Sequence, residues 1–221
     1  MRLRIRSVLG VLAFTATATW GVACLAEPSA RRVVPNYDDF TSGLIALAAD
    51  QNGDGRLDQW TYLDDNHPVR GEADLDADGR IDRWEYFGAQ SELLNVGTSS
   101  RNDGVEDTWT WVTPMNGEGR VDISGKRDRQ VDRREFFQGQ TLFRAELDTN
   151  ADGKSDRWDR YDGGVLREAQ FDTSLSGARA NWRILYDAQG HFVATQADPD
   201  RDGQFVPARA DAVRVMPGDR R

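Results

Sequence analysis

Oxygen-bearing side chains recur along this chain at a spacing that suits a hard divalent cation. In the clearest run, Asp74, Asp76, Asp78 and Asp82 surround Gly79, with Arg80 directly after the glycine and Glu85 three residues beyond the last aspartate. Alternate side chains of one tight loop converge on a common centre, and the residue after the glycine offers its carbonyl there. The same equipment returns as Asp50, Asn52, Asp54, the Arg56 carbonyl and Asp58. It returns again as Asp148, Asn150, Asp152, the Lys154 carbonyl and Asp156, with Asp159 in the role of Glu85. Another run keeps Asp198, Asp200, Asp202 and Gly203 but has Val206 where the ninth-position acid belongs. Several carboxylates in one turn repel strongly unless a cation lies among them, so these loops are expected to bind metal. Calcium, which takes about six to eight oxygens in a flexible shell, fits better than magnesium. Zinc would need a thiolate or histidine cluster that the chain lacks.

The loops belong to a repeat. Units of 24 to 26 residues begin at Asp50, Asp74, Ser99, Ser124, Asp148, Asp172 and Asp198. Three of the seven have lost most ligands: the third keeps Asp103, Gly104 and Asp107, the fourth carries Lys126 and Arg129 inside the loop, and the sixth has Ser174, Ser176 and Ala180. These three are expected to hold no ion, and Lys126 is a candidate internal positive charge.

After each loop the residues alternate. Trp60, Trp84, Trp109, Trp158 and Trp182 stand at the eleventh position, Tyr62, Tyr86, Trp111, Phe136 and Ile184 at the thirteenth, with polar residues between them. Before each loop a second alternating stretch carries smaller apolar residues such as Val69, Val121, Ala145 and Ala169. Period two means strands, and Gly139, Gly163–Gly164 and Gly190 lie between the two stretches, where a hairpin needs positive φ. The expected fold is all-β: an elongated array of about seven β-hairpin repeats with acidic loops between hairpins. Neighbouring units, stacked together, are expected to supply the core that one hairpin lacks, with the tryptophans facing inward.

An EF-hand-like pair of helices is the alternative, because Asp74 to Glu85 satisfies that loop pattern at every ligand position. Its flanks argue otherwise, since His67, Pro68 and Gly71 precede the loop and Gly88 follows soon after. The Asp-x-Asp-x-Asp-Gly-x-x-Asp core of Asp74 to Asp82 resembles the calcium-loop repeats of exported bacterial proteins, including the dockerin and thrombospondin type 3 kinds. That likeness covers about nine residues per unit, so the partners of those families do not carry over. Loops paired with an Arg-Trp-x-x-Tyr strand, as in Arg157, Trp158 and Tyr161, also resemble repeats of bacterial lipoproteins.

The N-terminus points to export. Arg2, Arg4 and Arg6 precede an apolar stretch ending near Val22, followed by small residues, which is the layout of a signal peptide over residues 1–23. Gly21, Val22, Ala23 and Cys24 resemble a lipobox, which implies acylation of Cys24 and attachment to a membrane of the cell envelope. The alternative is cleavage after Ala26 and a periplasmic or secreted soluble protein. Residues 24–36 read as a tether, 37–49 as a cap lacking its own loop, 50–206 as the repeat domain and 207–221 as a tail.

Loss of residues 1–23 removes three arginines and no acid, taking the formal charge from −9 to −12. Nucleic acid, which demands a basic patch, is excluded as a partner. Calcium ions are the expected ligands, and a protein or glycan at the cell surface is the expected macromolecular partner, with the repeated tryptophans as a possible glycan shelf. No catalytic constellation stands out: the acids all follow the loop spacing, His67 and His191 occupy unrelated repeat positions near turns, and Cys24 is the only cysteine.

Overall fold

The computed structural model describes residues 32–39, 43–115 and 118–208. The signal segment, Cys24 and the tail beyond Ala208 lie outside the described residues. Fifteen strands follow one another: β1 (Arg32–Tyr37), β2 (Leu44–Asp50), β3 (Gln59–Asp64), β4 (His67–Ala73), β5 (Arg83–Phe87), β6 (Leu93–Thr98), β7 (Thr108–Met115) and β8 (Glu118–Ile123) make the first half. The second half comprises β9 (Arg133–Gln138), β10 (Thr141–Leu147), β11 (Arg157–Asp162), β12 (Val165–Phe171), β13 (Trp182–Tyr186), β14 (Phe192–Ala197) and β15 (Val206–Pro207). Each pairs antiparallel with its chain neighbours, so strand order across the single sheet is the order of the sequence. No helix occurs among the described residues, which removes the EF-hand-like helical alternative.

The hairpins close where glycine or a short polar side chain, aspartate or asparagine, accepts a left-handed backbone. Gly163 and Gly164 (φ 56° and 78°) join β11 to β12, and Asp65 and Asn66 (φ 44° and 62°) do the same between β3 and β4. Both are two-residue turns with two positive φ angles, the geometry that matches strand twist. The acidic loops sit at the other ends of the strands, so all seven line one long side of the sheet. Seven units in sequence thus become seven loops spaced by two strands, about 10 Å apart.

Two expectations change here. The stretch read as a tether already pairs with β2 from Arg32 onward, in the register Arg32↔Asp50 and Val33↔Ala49, so the N-terminal cap is a full hairpin. Pro35 falls within this edge strand, and proline cannot donate to a further strand.

The second change concerns the core. Strands contact only their neighbours, so the sheet is one layer and the described residues place no second layer on either face. The register puts Trp60, Glu72, Trp84, Gly97, Trp109, Asp122, Arg134, Glu146 and Trp158 in one cross-strand row. Tyr62, Arg70, Tyr86, Asn95, Trp111, Arg120, Phe136 and Arg144 form the next row on that face. The smaller apolar residues, among them Val96, Val121, Ala145 and Ala169, point to the opposite face beside the Arg83–Glu85, Arg133–Glu135 and Arg157–Asp159 ion pairs. The two apolar sets therefore never meet in a shared core. Only Ala46, Trp84, Ala145, Ala169 and Trp182 are buried hydrophobics among the described residues, and the other repeated tryptophans are half-buried. Cohesion comes instead from the hydrogen-bond ladder and from cross-strand pairs such as Arg144 over the Phe136 ring (3.6 Å) and Arg120 over Trp111 (5.1 Å).

Candidate metal-binding loops

All seven loops share one backbone. Their fourth residues, Gly53, Ala77, Asn102, Arg127, Ala151, Leu175 and Arg201, have φ between 54° and 77°, and their sixth, Gly55, Gly79, Gly104, Arg129, Gly153, Gly177 and Gly203, between 67° and 93°. Two left-handed residues separated by one turn the chain inward, so amides and side-chain oxygens face a common interior. Glycine takes this conformation without cost, which is why it fills six of the seven sixth positions.

The first and ninth residues carry the loop. Asp50 accepts from Gly53 N (2.6 Å) and Gly55 N (2.9 Å), Asp148 from Ala151 N (2.6 Å) and Gly153 N (2.7 Å), and Asp198 from Gly203 N (2.8 Å). From the far side, Asp58 accepts from Gln51 N and Asn52 N, Asp82 from Leu75 N, and Asp156 from Thr149 N. These carboxylates are buried, and burial is tolerable because backbone donors face them. Their own backbones stitch loop to loop: Asp58 N reaches Ala49 O, Asp74 N reaches Asp58 O, Asp82 N reaches Ala73 O, and the ladder continues to Asp198.

The third and fifth residues stay near solvent. Asn52, Asp54, Asp76, Asp78, Asn150, Asp152, Asp200 and Asp202 are exposed. In loop two, carboxylate oxygens of Asp74, Asp76 and Asp78 all lie within 4.8 Å of one another, a separation that ligands about 2.4 Å from one ion can span. In the same loop Asp82 Oδ1 is buried and has no hydrogen-bond partner among the described residues. A buried carboxylate oxygen lacking a donor is the group a cation would satisfy. The donor set, all hard oxygens, therefore fits calcium. Arg56, Arg80 and Lys154 follow their glycines as expected, with their amides bound by Asp54, Asp78 and Asp152 at 2.8 to 2.9 Å.

Glu85 and Asp159 do not join the loops, which corrects their assignment as twelfth-position ligands. Both lie inside strands, Glu85 paired with Arg83 (2.8 Å) and Asp159 with Arg157 (2.8 Å). A helix would swing the twelfth residue back over the loop, whereas a strand carries it away at about 3.3 Å per residue.

Loops three and six hold guanidinium groups. Arg127, from the tip of loop four, forks onto the Asp103 carboxylate, brings Nε to 2.9 Å from Asp107 and reaches the Val105 carbonyl (3.4 Å). This side chain is only 12% exposed. Arg201, from the tip of loop seven, binds Asp172 (2.8 Å), Ser174 Oγ (2.9 Å) and the Arg179 carbonyl (2.9 Å) in loop six. The Arg127 fork, helped by Val105 N and Ser99, holds the Asp103 carboxyl well below the usual carboxylate range. Burial alone would raise the Asp172 carboxyl, but donors from Ser174, Arg201 and Ser176 outweigh it and leave that group far below its ordinary value. Lys126, expected as an internal positive charge of the fourth loop, makes no ion pair among the described residues, whereas its neighbour Arg127 pairs with the acids of loop three.

Two further residues escaped the sequence reading. Loop six has one extra residue, so Asn181 rather than Ala180 takes the ninth place: its side chain accepts from Thr173 N (2.9 Å) and its amide reaches Phe171 O (2.9 Å). The insertion also moves Trp182 to the face opposite Trp158. Glu106, in loop three, folds back over Gly97 and accepts from Tyr86 Oη (2.8 Å) and Trp109 Nε1 (2.8 Å). Burial first, and then this carboxylate, push the Tyr86 hydroxyl up to about 12. Adjacent even strands place Glu72 or Asp122 in the row where Gly97 stands, so the compensating pair Gly97 and Glu106 was the available signal.

No family model and no curated protein matches this chain. Among solved structures it is similar to a mutant of S. aureus TarM in complex with Fondaparinux, alpha-GlcNAc-glycerol and UDP: 16% identity, TM-score 0.31, covering 52% of this chain and 19% of that one. A second TarM crystal structure gives 12% identity and a TM-score of 0.27, covering 62% of this chain and 20% of the other. The chain thus spans about a fifth of the length of these structures.

Proposed function

We propose that this is a calcium-binding repeat protein, exported and held at the cell envelope, whose ions brace the loop side of a one-layer sheet. The observation that carries the reading is loop two, where three carboxylates converge within 4.8 Å and a buried oxygen of Asp82 has no donor among the described residues. Loops one, five and seven repeat its backbone and most of its acids. With few buried apolar side chains to hold the hairpins, ligand binding becomes folding energy: an ion at 100 times its dissociation constant adds about 2.7 kcal/mol per site. Calorimetric titration of the full-length chain is expected to count three or four calcium ions, and chelation to lower Tm. No binding heat together with an unchanged melt would reject the reading. Envelope attachment rests on Cys24; a Cys24→Ala variant is expected to leave the membrane fraction and to lose incorporated fatty acid.

A second reading, a glycan-binding face, has its own support. Trp158 borders a cavity of about 280 Å³ lined also by Arg144, Glu146, Arg160, Glu168 and Gln170. An apolar ring beside balanced, mutually paired charges suits a neutral, hydroxyl-rich ligand better than an ion. Sedimentation with insoluble cell-wall glycan, abolished by Trp158→Ala, is the expected result; equal sedimentation of both proteins would refute it.

A further inference from the structure

Each loop presents oxygens to an interior that needs positive charge, yet the seven meet that need in different ways. Four tip residues, each the fourth of its loop, touch the loop before their own: Asn102 bonds Asp76, the Leu175 carbonyl accepts from Asn150, Arg127 bonds Asp103 and pairs in charge with Asp107, and Arg201 bonds Asp172. Tip identity follows the acid content of the loop before it. The acid-rich loops one, two and five are succeeded by Ala77, Asn102 and Leu175, none of them cationic. The depleted loops three and six are succeeded by arginine, and loop four, followed by Ala151, carries Lys126 and Arg129 within itself.

The contacts match more than charge. Arg127 engages the fifth-position carboxylate, the seventh-position carbonyl and the ninth-position carboxylate of loop three, which are three of the ligand positions of a calcium loop. Arg201 engages the first and third residues of loop six and the Arg179 carbonyl, which stands two residues before Asn181 as a seventh residue stands two before a ninth. We infer that Arg127 and Arg201 are resident cations, each occupying the metal position of the loop before its own and closing that loop to calcium. This deepens the calcium reading, on which the exclusion of metal rests, and it predicts which loops do not respond to chelation.

The test restores the acids of loop three in the full-length chain. Ser99→Asp with Arg101→Asp recreates the complete ligand run, and a second variant adds Arg127→Ala, a residue that Ala77 and Ala151 show the tip conformation accepts. Calcium titration is expected to count one ion more than the parent only when the arginine is gone. An extra ion bound equally well with Arg127 present would overturn the inference. A second arm needs no calcium. In metal-free buffer, Arg127→Ala alone is expected to speed exchange of the Ser100 amide, which donates to Asp107, about tenfold or more while the Gln51 and Thr149 amides keep their rates. Unchanged exchange at Ser100 would also overturn it. A parent chain that binds no calcium would sink the metal reading alone, and the exchange arm would still decide the role of the arginine.

Discussion

Replacing Gly97 with alanine isolates a polar pocket in a sheet that has almost no apolar core. A Cβ built on Gly97 would stand 1.9 Å from Glu106 Oε1 and 2.8 Å from its Cδ, so the carboxylate must leave. It would abandon the Tyr86 hydroxyl and the Trp109 indole, both donors at 2.8 Å, from a position only 4% exposed. Charge-assisted bonds of this kind contribute about 1.5 to 3 kcal/mol. Both donors are half-buried and regain some water, which puts the loss for the pair near 2 to 3 kcal/mol. Against this, alanine is better than glycine in a strand by about 0.5 to 1 kcal/mol. The balance is a net destabilisation of about 1 to 2.5 kcal/mol, read as a lower denaturant midpoint by tryptophan fluorescence. The same substitution in a Glu106→Ala background should reverse sign and stabilise by about 0.5 to 1 kcal/mol, because nothing is left to expel. Spectroscopic titration should also find Tyr86 ionising closer to its ordinary value. A Gly97→Ala protein as stable as the parent, with no sign change in the cycle, would refute this account of the pocket.

Alkaline stability should report the same tyrosine. A hydroxyl raised by folding contributes fully below its unfolded value near 10, and the contribution is lost as pH rises toward about 12. Melting temperature should therefore fall over that window in the parent, and Tyr86→Phe should fall less steeply; parallel profiles would contradict it. In the hairpin turns, Asn66→Gly at φ 62° should stabilise by about 0.5 kcal/mol and Gly164→Val at φ 78° should destabilise by about 1 to 2 kcal/mol in equilibrium unfolding.

What was legible in the sequence was local. The two alternating stretches per unit, the turns at Gly139, Gly163, Gly164 and Gly190, and the glycines at the sixth loop position follow from backbone sterics that act within a few residues, and the strands and turns stand where those signals put them. What failed depended on register or on distant partners. Alternation shows that Trp158 and Arg160 share a face, but whether that face also carries Ala169 depends on cross-strand pairing, and a slip of one residue inverts the answer. The single added residue of loop six does this to Trp182. Arg127 and Asp103 lie 24 residues apart and Arg201 and Asp172 lie 29 apart, so only the stacking of loops shows why a basic tip follows an acid-poor neighbour. Glu85 was misassigned because its spacing fits a loop that exits into a helix, while here the exit is a strand.

The unbroken meander also determines how the molecule responds to tension. β1 and β15 lie at opposite margins of the sheet, separated by fourteen strand intervals of about 4.8 Å, or some 67 Å. A pull between those margins runs at right angles to the strands, so it loads one ladder of hydrogen bonds at a time instead of shearing many together. Strands peel off singly, and each freed hairpin lets out a similar length of chain. Arg127 and Arg201 add ion pairs between adjoining units that a peeling strand must also break.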